Sequence, residues 1–160
     1  MEPIRIVGEK IILRSVDSSD IDTILLWENS SAEPLYGIYE EQYTREDVAQ
    51  FVENQQRYSL AETEQLRLMI CSHGGERLGC IDLTEYDSKT AFVSILIFSL
   101  DNRRKGFGTE ALRLLLSYCE SLGLETLFAI IQTKNSPSKN LFEKMGFVGE
   151  NSTLYRKQLR

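Results

Sequence analysis

Histidine, cysteine and proline are scarce in this chain: 160 residues hold one His, three Cys and three Pro. The lone His73 falls in Ser72-His73-Gly74-Gly75, a hairpin-turn composition, so neither a histidine-built metal site nor a serine–histidine triad has its parts. Cys71, Cys80 and Cys119 are odd in number, lack CxxC spacing and stand inside apolar segments. That pattern excludes a thiolate knuckle and reads as reduced core thiols. No apolar run approaches the ~18 residues of a membrane span, and Met1-Glu2-Pro3-Ile4-Arg5 lacks the basic-then-apolar order of a signal peptide. The expected location is therefore cytoplasmic, with no membrane partner. Basic side chains are also outnumbered, 18 Lys and Arg against 24 Asp and Glu. A net charge of −6 argues against general nucleic-acid binding, which needs a basic face, and suits a cationic partner.

What is present is the make-up of one soluble domain, residues 1–160, with 42% hydrophobic and 26% charged residues. Residues 4–7 and 10–14 read as a first strand interrupted at Gly8-Glu9. Asp17 or Ser18 can cap a helix to about Trp27, with Ile21, Ile24 and Leu25 on its apolar side. Residues 29–43 have no period and many turn formers, the mark of a long loop. Thr44-Arg45-Glu46-Asp47 opens a second helix in the manner of a capping box, and Val48, Phe51 and Val52 form its core face. Strands follow at 65–72, 77–86 and 90–100, joined by short turns and so antiparallel.

A helix from the Gly106-Phe107-Gly108 turn carries Ala111, Leu112, Leu115, Cys119 and Leu122 at helical spacing and stops at Gly123. The apolar run 126–133 fits a strand buried on both faces. Ser136 can cap the next helix with Pro137 first inside it, Gly146-Phe147 ends it, and residues 153–159 close the sheet. This order predicts an α+β fold with one parallel strand pair flanking the glycine-turn helix.

Two stretches carry chemistry. In Arg103-Arg104-Lys105-Gly106-Phe107-Gly108-Thr109-Glu110-Ala111-Leu112 an apolar run ends in a glycine turn and passes straight into a helix, a cradle for a pyrophosphate. The second is Asn135-Ser136-Pro137-Ser138-Lys139-Asn140-Leu141-Phe142-Glu143-Lys144-Met145-Gly146-Phe147. Neither a P-loop's Gly-Lys-Ser/Thr ending nor the acidic ribose contact of a dinucleotide fold accompanies the turn, which sets aside a nucleotide-binding module. Together the two resemble the GNAT superfamily of acyl-CoA N-acyltransferases, whose pattern is Arg/Gln-x-x-Gly-x-Gly/Ala followed by Asn-x-x-(Ala/Ser)-x-x-x-(Tyr/Phe)-x-x-x-Gly-Phe.

The resemblance implies a GNAT-like fold: a mostly antiparallel mixed sheet of roughly six to seven strands with about four helices, splayed between the fourth and fifth strands. It implies acetyl-CoA as the acyl donor, its pyrophosphate on the amides of Arg103, Arg104, Lys105, Gly106, Phe107, Gly108 and Thr109. The pantetheine arm would pair around Ile97, Phe98 and Ser99, although 95–100 alone reads equally as a core strand. Asn135 matches the family's asparagine at the cofactor arm, or forms an Asx turn. Ser138, Asn140 and Lys144 either reach the cofactor or face solvent.

The chain departs from the family at Phe142, where many members place a tyrosine that protonates the departing thiolate; phenylalanine has no proton to give. Ser138, Tyr155 or a water are the remaining donors. Residues 90–100 and 126–133 contain no carboxylate base, which leaves Asp82 and Glu85 on the preceding strand, or water.

By resemblance the acceptor site is built around the loop after the first helix, where Glu33, Tyr36, Tyr39 and Glu41 would suit a cationic amine, or form a solvated acidic loop. Ile12-Leu13-Arg14 with Asp20 resembles the branch of ribosomal-protein and polyamine acetyltransferases, whereas the hairpin at 150–153 is shorter than is general there. The expected function is acetyl-CoA-dependent transfer to a primary amine, a small cationic amine or a protein N-terminus, by direct attack in a ternary complex. The alternative is a non-catalytic acyl-CoA-binding regulatory domain. Exposed strand edges in such a sheet often find a partner, which allows a homodimer.

Overall fold

The computed structural model describes residues 2–30 and 42–160. The predicted loop residues Glu33, Tyr36, Tyr39 and Glu41 lie outside the described residues. The chain runs through β1 (Arg5–Val7), β2 (Ile11–Ser15), α1 (Ile21–Ser30), α2 (Arg45–Arg57), α3 (Leu60–Thr63), β3 (Leu66–Ser72), β4 (Arg77–Thr84) and β5 (Thr90–Ile97). It continues through α4 (Phe107–Ser121), β6 (Thr126–Ile130), α5 (Ser136–Lys144), β7 (Val148–Gly149) and β8 (Leu154–Gln158). One eight-stranded sheet orders them β1-β2-β3-β4-β5-β6-β8-β7. The expected α+β class holds, and among the described residues the only parallel pair, β5 and β6, flanks α4.

Local signals account for most elements. Asp17 caps a turn of 3-10 helix before α1, and Thr44 caps α2 in a reciprocal box with Asp47. Gly146 takes φ 92°, and Phe147 folds back so that its ring meets Phe142 edge-on at 5.0 Å.

Four expectations need correction. The first strand is not one interrupted strand: Gly8-Glu9 turns the chain fully, and Arg5 pairs with Arg14 in an antiparallel hairpin. A short helix, α3, was not anticipated, although Ser59 and Glu62 form its capping box. Asn135 rather than Ser136 caps α5, its Oδ1 accepting from the Ser138 N–H at 3.2 Å. β6 is buried on one face only: Leu127 and Ala129 are enclosed, but Ile130 is 58% exposed. Among the described residues no helix covers that part of the other face, so period 2 decides which side chains are wet.

The sheet separates two apolar clusters. On one face Leu68, Ile70, Ile81, Leu83 and Val93 pack with Leu112 and Leu115 of α4 and Phe142 of α5. On the other, Met69, Cys71 and Cys80 pack under Ile24 and Trp27 of α1 and Val48 and Val52 of α2. Among the described residues no helix is long and apolar enough to cross a membrane.

Candidate active site

β5 and β6 are hydrogen-bonding neighbours only from Thr90–Phe92 against Thr126–Phe128. Beyond that point β5 continues to Ile97 on β4, whereas β6 continues to Ile130 on β8. The two strands therefore part into a V, at the place expected of the fourth and fifth strands; here they are fifth and sixth because the first strand is a hairpin. Phe98 N–H donates to the Leu78 carbonyl at 3.0 Å. Antiparallel alternation then turns the N–H groups of Ile95 and Ile97 away from β4 and into the opening, while that of Val93 is still taken up by the last β5–β6 pair. Phe98 itself is not available to a ligand through its amide, and its ring stacks on Trp27 at 5.5 Å.

The glycine turn stands at the open end of the V. A Cβ on Gly108 would lie 3.6 Å from Ile95 Cδ1 and 3.4 Å from Leu141 Cδ2, so this glycine lets α4 approach both β5 and α5 closely. Arg104 and Gly106 adopt left-handed backbone, φ 63° and 82°, which wraps the loop around the helix start. Gly106 offers no side chain to cap α4, leaving the first amides of the helix, Phe107, Gly108 and Thr109, without an intrahelical acceptor. Arg103 Nε donates to the Ile97 carbonyl at 3.2 Å, which lays its guanidinium along the opening, and Ser99 Oγ accepts from the Asp101 N–H.

The turn is anchored from the far end of the chain. Glu110, 4% exposed on the first turn of α4, accepts from the Lys10 N–H with both carboxylate oxygens, at 2.9 and 3.0 Å. Lys10 Nζ in turn donates to the Lys105 carbonyl at 3.1 Å. Lys10 was not singled out in the sequence, and nothing local signals it, because its partners are about a hundred residues away.

The remaining candidates fall on opposite faces. Tyr155 is paired with Ala129, one strand from the opening, on the face of α4 and α5. Its ring is buried, but its hydroxyl makes no hydrogen bond within the described chain and, since no buried side-chain oxygen there is unbonded, it reaches solvent. Ser138 is half-buried one turn before Phe142 on α5. Phe142 is 2% exposed and points into the core. Asn140 and Lys144, four residues apart, share an exposed side of α5 turned about 200–240° from Ser138 by the helical period.

Asp82 lies on the other face, its neighbour on β5 being Ser94. Arg67 holds it with Nε and Nη2 at 2.9 and 2.7 Å and reaches Glu28 with Nη1 at 2.8 Å. Burial pushes the Asp82 carboxyl above its ordinary value, and Arg67 opposes that push. Beside this network a cavity of about 500 Å³ opens between α1 and α2, lined by Ile24, Val48 and Phe51 with Glu28, Asp47 and Arg67. Glu85, at φ 50° and exposed, follows β4 at the closed end of the V and does not join the site.

Comparison with known proteins shows the family and the fold. Residues 10–148 match the family described as the acetyltransferase (GNAT) domain. Among solved structures, spermidine N-acetyltransferase from Vibrio cholerae in complex with CoA and spermine superposes with a TM-score of 0.77 at 18% identity, covering 93% of this chain and 94% of that one. A ribosomal L7/L12 alpha-N-protein acetyltransferase in complex with coenzyme A gives 0.76 at 15% identity, covering 98% of both. A GNAT-family acetyltransferase from Bacillus anthracis gives 0.75 at 20%, covering 98% and 99%. No curated protein sequence matches the chain. The family match spans the glycine turn, the splayed strands and α5 alike, and on that ground the chain belongs to the GNAT acetyltransferase family.

Proposed function

We propose that this protein transfers an acetyl group from acetyl-CoA to a primary amine, either a small cationic amine or a protein N-terminus, with both substrates held at once. The observation that carries this reading is the conjunction of the V between β5 and β6 with the uncapped start of α4 at its open end. An anion and an extended arm need these two features side by side: free amides at the positive end of a helix, and a strand edge with unpaired N–H groups.

Acetyl-CoA, when bound, supplies a thioester carbonyl as the electrophile. The amides of Phe107, Gly108 and Thr109, with the charge of Arg103, Arg104 and Lys105, are suited to its pyrophosphate. The N–H groups of Ile95 and Ile97 are suited to the arm, and one of them to the developing oxyanion. Asn135 spends its Oδ1 on the helix cap and keeps Nδ2 as a donor towards the arm. Tyr155 and Ser138 are the protein groups able to hand a proton to the leaving thiolate, which at a pKa of roughly 8.5 also departs with water's help.

The acceptor belongs on the opposite face, over Ser94 and the cavity between α1 and α2, where Glu28 and Asp47 favour a cation. Asp82 is committed to Arg67, so water or the small neutral fraction of the amine is the route for the amine's proton. The chemistry named for the solved relatives, spermidine and a ribosomal-protein N-terminus, supports the two acceptor classes.

Thiol release from acetyl-CoA over polyamines, amino acids, aminoglycosides and N-terminal peptides, beside a Gly106→Glu variant that fills the turn, tests the proposal. Release with one amine class, absent in the variant, is expected. Phe142 favours a second reading, an acyl-CoA-binding regulatory domain; tight CoA binding without turnover on any amine would establish it instead.

A further inference from the structure

An ammonium group without a counter-ion among the described residues stands beside the glycine turn. Lys10 Nζ lies 2.9 Å from where a Cβ on Gly106 would be, and its only hydrogen bond among the described residues is to the Lys105 carbonyl. Both oxygens of the buried Glu110 fix the backbone N–H of Lys10, which roots its stem beside the turn. Among the described residues Lys10, Arg103, Arg104 and Lys105 form no ion pair, a lack that several scattered lysines share; what sets these four apart is that they gather at one helix start. Four unpaired cations gathered at the positive end of a 15-residue helix repel one another and the helix dipole. An anion placed among them is attracted by each of the four and by the helix start, which offsets that repulsion.

We infer that Lys10, on the turn between β1 and β2, is a ligand of the cofactor's pyrophosphate: its ammonium, held at the Lys105 carbonyl beside Gly106, completes the glycine-turn cradle. This rests on the reading of that turn as the pyrophosphate site. In the absence of the anion Lys10 borrows the Lys105 carbonyl; with the anion bound, it donates to a phosphate oxygen as a charge-assisted hydrogen bond. No covalent step is involved.

Calorimetric binding of CoA, dephospho-CoA and pantetheine to the wild type, Lys10→Met and Lys10→Arg tests it without reference to turnover. Lys10→Met is expected to weaken CoA and dephospho-CoA alike by about tenfold, to leave pantetheine unchanged and to flatten the salt dependence of CoA binding, while Lys10→Arg restores most of the loss. Unchanged CoA affinity in Lys10→Met would overturn the assignment. So would an equal loss for all three ligands, the signature of a latch that only shapes the loop, or a loss for CoA but not dephospho-CoA, which would move the contact to the 3′-phosphate. If the wild type itself binds CoA no more tightly than pantetheine, the turn is not a pyrophosphate site and Lys10 falls with it.

Discussion

Arg14 clasps Asp20 with two parallel hydrogen bonds, Nη1 and Nη2 each 2.8 Å from a different carboxylate oxygen, and Asp20 has no exposed surface at all. Arg77 adds a third bond at 2.6 Å from β4, and the Asp17 N–H a fourth. Arg14 and Asp20 thus form a pin joining β2, the start of α1 and β4.

Asp20→Asn should cost about 3 kcal/mol, because it leaves two arginines facing a neutral amide in a buried place. Burial alone would raise the Asp20 pKa, but hydrogen bonds from Arg14 and then Arg77 outweigh it and hold the carboxyl below its ordinary value. A depressed pKa contributes stability that is present above the unfolded value of about 3.9 and is lost as pH falls through the folded one. Urea midpoints of wild type and variant should differ widely at pH 7 and converge at acid pH; a constant gap would refute the assignment.

Asp82→Asn should act on stability before it acts on chemistry. Arg67, enclosed between Asp82, Glu28 and the Phe51 ring, would keep a buried charge with half its partners, at a cost of about 3 kcal/mol. The pH–rate profile of the folded variant should keep its shape. Loss of the acid limb with stability intact would instead make Asp82 the general base.

The three cysteines should resist thiol reagents in the native protein. Burial pushes Cys80 and Cys119 up to about 12 and raises Cys71 as well, so almost no thiolate exists near neutral pH. Reaction with Ellman's reagent should be slow until urea unfolds the chain. Rapid labelling of one thiol without denaturant would show that the core opens locally.

Gly8→Ala should loosen the glycine turn from a distance. An added Cβ would overlap Glu110 Oε1, which must then leave the amides of Lys10 and Ile11, a loss of about 1–3 kcal/mol for the stranded groups. Glu110→Ala removes the same bonds, so the double variant should be little worse than either single one. Additive losses would show that the two residues act separately.

Much of this was legible in the residues because the signals are local. Thr44 with Asp47 announces a helix start, Gly106 a left-handed turn and Gly146-Phe147 a helix stop, since each depends on hydrogen bonds or torsions within about four residues. Gly8-Glu9 was ambiguous for the same reason: a two-residue break reads as a bulge or a full turn until the facing strand selects one.

Sequence by itself determined the family and most of the order of elements, the β1–β2 hairpin and α3 excepted, because those rest on periodicity and on glycines where side chains do not fit. Only the tertiary structure decided which candidates meet. It parted β5 from β6 after three residue pairs, gave Asp82 to Arg67, buried Phe142 against Phe147, and brought Lys10 across 95 residues of chain to the turn. Each of these follows from how a sheet closes over two cores, and contacts between residues so far apart leave no trace in the local pattern.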